Sequence, residues 1–194
     1  MTIDFRDLIT DSYQAMNRLL HESNGEYGSN TKFDPGSESE VIAESIILFG
    51  KNNNVRSILD YGCGKGGFKK AATRMAPELT VTEYDPAIPG KEALPSPADL
   101  VIGMDVLEHI EPECLDAVLQ HIQSVSIKGA ILRPSLLPAK KILSDGRNAH
   151  LILESPGWWQ GKVSKYFNVI ISTQHLDKSS RLTAIDFICT PKIP

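Results

Sequence analysis

Residues 58–68 read ILDYGCGKGGF, an apolar run that empties into four glycines, Gly62, Gly64, Gly66 and Gly67. A strand that enters a glycine-rich turn before a helix lets backbone N–H groups approach a nucleotide-type ligand. Gly62, Gly64 and Gly67 satisfy G-x-G-x-x-G, the spacing used for dinucleotides. Gly62, Gly64 and Gly66 satisfy G-x-G-x-G equally well. The glycines alone leave both open, so the neighbours must decide.

Working outward, residues 55–60 form a buried-type strand and residues 68–75 a helix that stops before Pro77. Further strands are expected over 79–84 and 98–103. Pro112 is expected to open a helix bearing Leu115, Val118, Leu119, Ile122 and Val125 at helical spacing. Another strand begins at 129–132, and Ser155–Pro156 reads as the N-cap and first position of a helix carrying Trp158, Trp159, Val163 and Phe167. The last β-rich runs flank a polar DKSS turn, which predicts an antiparallel hairpin. Upstream, a helix is expected over residues 5–20 and a loop over 21–36. Ser37 and Glu40 fit an S-x-x-E capping box for a helix that ends at Gly50 as a left-handed terminator. Strand–helix alternation predicts a Rossmann-like α/β fold, a doubly wound and mostly parallel sheet closed by the hairpin.

The 194 residues, 41% hydrophobic, suffice for one core. The expected organisation is an N-terminal helix and loop, residues 1–36, and a ligand-binding domain, residues 37–194. Tyr13, His21 and Tyr27 are candidates for a lid contributed by the first segment. A net charge of −4 argues against a strongly basic nucleic-acid surface. Cys63, Cys114 and Cys189 are odd in number and lack C-x-x-C spacing, which suggests a reducing compartment and no zinc frame. No leader and no membrane-length apolar run is evident, so a cytoplasmic protein without a membrane partner is expected.

Acidic residues follow three of the strands, at Asp60, Asp85 and Asp105. Asp85 lies 23 residues beyond Gly62, where an acid would meet ribose hydroxyls. That suits NAD and S-adenosylmethionine alike, since both contain adenosine. Asp60 discriminates between them. A carboxylate at the mouth of the turn would repel a pyrophosphate, whereas the ammonium and sulfonium of S-adenosylmethionine are cationic. The expected cofactor is S-adenosylmethionine. Asp60 as a helix cap, Asp85 as a turn former before Pro86 and Asp105 as a cap of the next helix are the structural alternatives.

LDYGCGKG, VTEYDP and ADLVIGMDVLEHI resemble, in order, the first, second and fourth-strand motifs of class I S-adenosylmethionine-dependent methyltransferases. The likeness spans about residues 40–190, and D-V-L-E-H-I resembles members that act on small molecules. The resemblance implies a seven-stranded sheet with an antiparallel last strand. It also implies cofactor contacts from Asp60, Gly62, Cys63, Gly64 and Gly66, from Asp85 and Pro86, and from Asp105, Val106 and Leu107. Only residues 86–97 separate the second strand from Ala98, so the family's third strand is expected to be vestigial, confined to residues 93–94.

For catalysis, His150 in the polar loop SDGRNAH is the first candidate base, and His109 the second. His109 has a positioning or solvent-facing role as its alternative. Adjacent Glu108 and His109 are not expected to converge on one ion, so no metal is assigned. Arg147, Lys140 and Lys141 fit an anionic substrate or a solvated face, and Trp158 and Trp159 fit core or lid. The expected reaction moves a methyl group to an oxygen or nitrogen of a small-molecule acceptor. The N/D-P-P-Y/F tetrad of amino-DNA methylases is absent, as is a Pro-Cys nucleophile. A non-catalytic cofactor-binding module is the alternative, and an NAD-dependent oxidoreductase the third.

Overall fold

The structure, a computed structural model, describes residues 4–23 and 38–192. Ser37 and Tyr27, named above, lie outside the described residues. The sheet has six strands in the order β2-β1-β3-β4-β6-β5. They are β1 (Ser57–Tyr61), β2 (Thr80–Tyr84), β3 (Ala98–Met104), β4 (Ser126–Arg133), β5 (Phe167–Leu176) and β6 (Leu182–Pro191). The first four are parallel, and β6 runs antiparallel to both β4 and β5. The helices are α1 (Phe5–Leu8), α2 (Asp11–Ser23), α3 (Glu38–Asn52), α4 (Gly67–Met75), α5 (Leu115–Val125) and α6 (Pro156–Tyr166).

Side-chain alternation along the strands builds two cores. On one face Ile58, Leu100, Ile102 and Ile131 pack with Ala43, Ile46 and Ile47 of α3 and Phe68, Ala71 and Ala72 of α4. On the other, Leu59, Val101, Ala130 and Leu132 pack with Leu115, Leu119 and Ile122 of α5 and Trp159 and Val163 of α6. Trp159 is thus a core residue, fully buried, and Ser155 caps α6 by accepting from the Trp158 N–H at 3.3 Å.

Four sequence expectations need correction. Among the described residues the sheet has six strands, not seven, because no strand forms at residues 93–94. Pro86, Pro89, Pro95 and Pro97 strip that segment of ladder donors, and the Asp85 N–H closes it against the Lys91 carbonyl at 3.0 Å. The first helix is broken at Ile9, which is extended, because the Thr10 N–H and hydroxyl both donate to the Glu111 carboxylate, at 2.9 and 2.7 Å. The helix α3 passes through Gly50, and the left-handed residue is Asn54 (φ 54°). Gly50 instead packs against Val55, where an added Cβ would make ordinary contact at 3.4 Å. Pro112 lies in a turn closed by Cys114 N–H on the Glu111 carbonyl (2.8 Å), and α5 starts at Leu115.

The β4–β6 pair tolerates no extra atom at Gly129, where a Cβ would lie 2.8 Å from the Cys189 carbonyl oxygen. Backbone cannot swing aside as a flexible side chain can. Gly129→Ala should therefore lower stability by about 1–3 kcal/mol, measured as the midpoint of urea unfolding.

Candidate active site

The carboxyl ends of β1 to β4 open into one cavity of about 570 Å³, within the range of cofactor sites. The glycine turn forms its first wall. Gly62, Gly64 and Gly66 all adopt positive φ, at 75°, 51° and 77°, which a side chain would resist. Gly62 is further pinned by Val106, whose two methyls would lie 2.5 and 2.6 Å from an added Cβ. Gly62, Cys63, Gly64 and Gly67 line the cavity. Gly66 does not line it; its missing Cβ leaves room for the Glu83 carboxylate, which would otherwise lie 2.1 Å away.

Behind the turn sits a charge cluster that the sequence reading found only in part. Asp60 is 6% exposed and lies in register with Glu83 of β2. Burial first, then the neighbouring Glu83, pushes its carboxyl up to about 7, with Lys91 pulling the other way. Lys91 bridges Glu83 (3.0 Å) and donates to the Gly64 carbonyl (3.1 Å). Asp85 accepts from the Gly64 N–H and the Ala87 N–H, both at 2.9 Å, so it organises the turn as well as facing the cavity. Glu83 lies within VTEYDP but was given no role there, and Lys91 carried no motif; strand pairing sets Glu83 beside Asp60, and the turn after β2 brings Lys91 back to it.

Asp105, at the end of β3, has φ 54° and hands its N–H to the Arg133 carbonyl at 2.8 Å. The short 3-10 turn Leu107–His109 that follows has Val106 at its N-cap position, which makes no side-chain bond. Asp105, Val106 and Pro86 line the cavity. Leu107 does not; its side chain is fully buried in the core.

The far wall carries imidazoles. His109 and His150 both line the cavity and meet edge to face, ring centroids 4.5 Å apart. His109 is half-buried in that wall, and burial lowers it to about 4, leaving it neutral. Contrary to the sequence expectation, Glu108 and His109 do converge, with His150 as the third member: one ligand-type atom from each lies within 4.8 Å of the others. The turn places adjacent side chains on a common centre because the loop holding His150 folds back, with Ile152 N–H on the Glu108 carbonyl at 3.0 Å.

The N-terminal helices form the roof. Tyr13 is 2% exposed, lines the cavity with His21, and donates its hydroxyl to the His109 carbonyl. Lys140 and Lys141 line the opposite rim, whereas Arg147 pairs with Asp145 at 2.7 Å and stacks on Tyr13.

A family model described as a methyltransferase domain matches residues 37–176. The chain belongs to that family, the methyltransferases of Rossmann-like fold. Among solved structures it resembles the 1,6-didemethyltoxoflavin N1-methyltransferase of Burkholderia thailandensis, which holds that compound and S-adenosylhomocysteine. The TM-score is 0.66 at 15% identity over 95% of this chain and 91% of that one. N-methyltransferase NodS of Bradyrhizobium japonicum, in complex with S-adenosylhomocysteine, matches with TM-score 0.62 at 14% identity over 94% and 99%. Magnesium protoporphyrin IX methyltransferase of Synechocystis, with S-adenosylmethionine bound, matches with TM-score 0.55 at 15% identity over 97% and 98%. At such identities the likeness is one of fold. No curated protein matches in sequence.

The Gly62–Val106 contact couples two motifs. Gly62→Ala should cost about 1–3 kcal/mol, from backbone strain and collision together. Adding Val106→Ala should recover only the collision part. Paired thermal melts of the single and double variants measure the difference.

Proposed function

We propose that this chain is an S-adenosylmethionine-dependent methyltransferase acting on an oxygen or nitrogen of a small-molecule acceptor. The observation that carries the proposal is the buried acid at the first turn. Asp60, Glu83 and Asp85 bring three carboxylates together, and the two lysines nearby, Lys91 and Lys69, both pair with Glu83, so Asp60 is left without an ion-pair partner and the wall seeks a cation. A ligand ammonium meets that demand, and a pyrophosphate would aggravate it. The titratable, desolvated Asp60 beside glycines at positive φ is the local fit for the methionine half of the cofactor. Asp85 and Pro86, which line the same cavity, would serve its ribose side, and Asp105 and Val106 its other face.

When bound, S-adenosylmethionine supplies a methyl group on a positively charged sulfur, already activated for displacement. The protein's part is alignment, worth up to about 7–11 kcal/mol. The glycine turn fixes one end of the cavity, while Tyr13 and the N-terminal helices cover it and exclude water. The two imidazoles face the acceptor end. Each presents Nδ1 to a backbone carbonyl, Ala149 at 2.7 Å for His109 and Leu137 at 2.5 Å for His150. A carbonyl only accepts, so Nδ1 is the donating nitrogen of each ring and Nε2 is turned away from that bond. Small-molecule substrates in the names of structural neighbours support the acceptor class. No helix among the described residues is long and apolar enough to cross a membrane.

Asp60 makes the pH dependence explicit. Its folded value lies above the ordinary carboxylate value of about 3.9. The empty protein thus binds the extra proton and loses stability as pH rises from about 4 to about 7. Cofactor binding has the opposite sign, because the ammonium prefers the ionised acid. Well below pH 7 the affinity should fall about tenfold per unit, and it should level off above pH 7. Asp60→Asn should flatten this profile, weaken binding and stabilise the empty protein at pH 8. Calorimetric titration with S-adenosylhomocysteine from pH 5.5 to 8, with thermal melts, tests all three. A wild-type profile without slope would contradict the reading.

Turnover is tested by incubating the protein and methyl-labelled S-adenosylmethionine with a metabolite extract, followed by mass spectrometry. A labelled small molecule is expected. Cofactor binding without any labelled product would instead make the chain a binding module.

A further inference from the structure

Glu108 is a costly residue to bury as it stands. Its side chain is 0% exposed, and neither carboxylate oxygen accepts a hydrogen bond of ordinary geometry. The backbone N–H groups of Glu108 and Ser135 lie near enough to favour its charged form, but burial and then Asp105 oppose it more strongly. His150 brings Nε2 to 3.9 Å from Oε1, beyond hydrogen-bond length. A carboxylate–histidine proton relay would need the carboxylate on a ring nitrogen, yet both Nδ1 atoms are held by backbone carbonyls. Anchoring the far nitrogen in this way is how a protein orients metal-ligating imidazoles. The buried Glu108 carboxylate, with two oriented imidazoles beside it, then points to a shared guest that is positive.

We infer that Glu108, His109 and His150 form a site for zinc or another divalent transition-metal ion in the cavity wall, with an open position for an oxygen of the methyl acceptor. Two imidazoles and one carboxylate are borderline donors, which suit zinc, manganese, iron or cobalt better than magnesium or calcium. The three ligand atoms now lie within 4.8 Å. Tetrahedral zinc with bonds of about 2.0–2.1 Å would set donors roughly 3.4 Å apart, so an ion would draw them together by side-chain rotation. Because His109 and His150 line the same cavity as Asp60 and the glycine turn, the ion would lie across that cavity from the cofactor wall.

The substrate class follows, and this clause alone rests on the proposed function: an acceptor with an oxygen at or beside the methylated atom. On the ion, an acceptor hydroxyl loses its proton to solvent. The O–H bond breaks, its electron pair stays on oxygen, and no oxidation state changes. The effect is large, since zinc brings bound water to about pH 7. His150 is then a metal ligand and not a general base.

The test uses the full-length untagged protein, stripped with EDTA and desalted. Calorimetry with ZnCl2, MnCl2 and CoCl2 should give one equivalent per chain, and Co2+ should add visible absorption bands. Glu108→Gln and His150→Ala should each weaken binding by at least about a hundredfold, since even outer-shell partners are worth about 10–100-fold. Circular dichroism identifies the variants that fold. His150→Ala, on a partly exposed loop, serves if Glu108→Gln does not. No binding by wild type, or undiminished binding in folded His150→Ala, overturns the site. Titrating the stripped protein with S-adenosylhomocysteine separates the two proposals. Heat with that ligand but none with metal removes only the ion, and the reverse removes only the cofactor assignment.

Discussion

A buried negative charge without a full counterion governs this molecule. Asp60 closes β1 at the floor of the cavity, facing Glu83 and Asp85 with Lys91 as the nearest cation. Much of the surrounding architecture serves to hold that imbalance in place. Gly66 lacks a side chain so that Glu83 can lie beneath the turn, Lys91 reaches through to the Gly64 carbonyl, and Asp85 takes the Gly64 N–H. The result is a rigid loop with a negative floor. Keeping a carboxyl desolvated costs stability in the empty protein, and a cationic guest offsets that cost.

The opposite wall repeats the same principle with different atoms. Glu108 is buried without a hydrogen bond of ordinary geometry, and two imidazoles beside it are oriented by backbone carbonyls. Both walls thus store electrostatic demand that the fold does not meet internally. The N-terminal helices join them. Thr10 binds Glu111 and Tyr13 binds the His109 carbonyl, which ties the roof to the turn that carries His109. Gln14 donates to the Pro86 carbonyl and ties the roof to the first wall as well.

The cofactor end was largely legible in sequence, because its residues are neighbours in the chain. A turn such as DYGCGKG is a local object, and positive φ at three glycines is a local requirement. The strand pattern was legible for the same reason: alternation from residue to residue decides which side chains reach which face. The imidazole end was not legible. Glu108 and His109 looked incapable of converging, since adjacency in sequence ordinarily sends side chains apart. The third member, His150, arrives through a loop some forty residues later, and no periodicity predicts that return.

What the sequence by itself determined was the alternating α/β order, the closing hairpin, the glycine turn and an acid at the end of each of three strands, all set by short-range stereochemistry and hydrophobic periodicity. Tertiary structure alone decided the strand count, the break at Ile9, the Glu83–Lys91 bridge and the meeting of Glu108 with His109 and His150. Those features depend on contacts between distant segments, where burial raises the strength of every unpaired charge, and a linear pattern carries no record of which charges will be buried together.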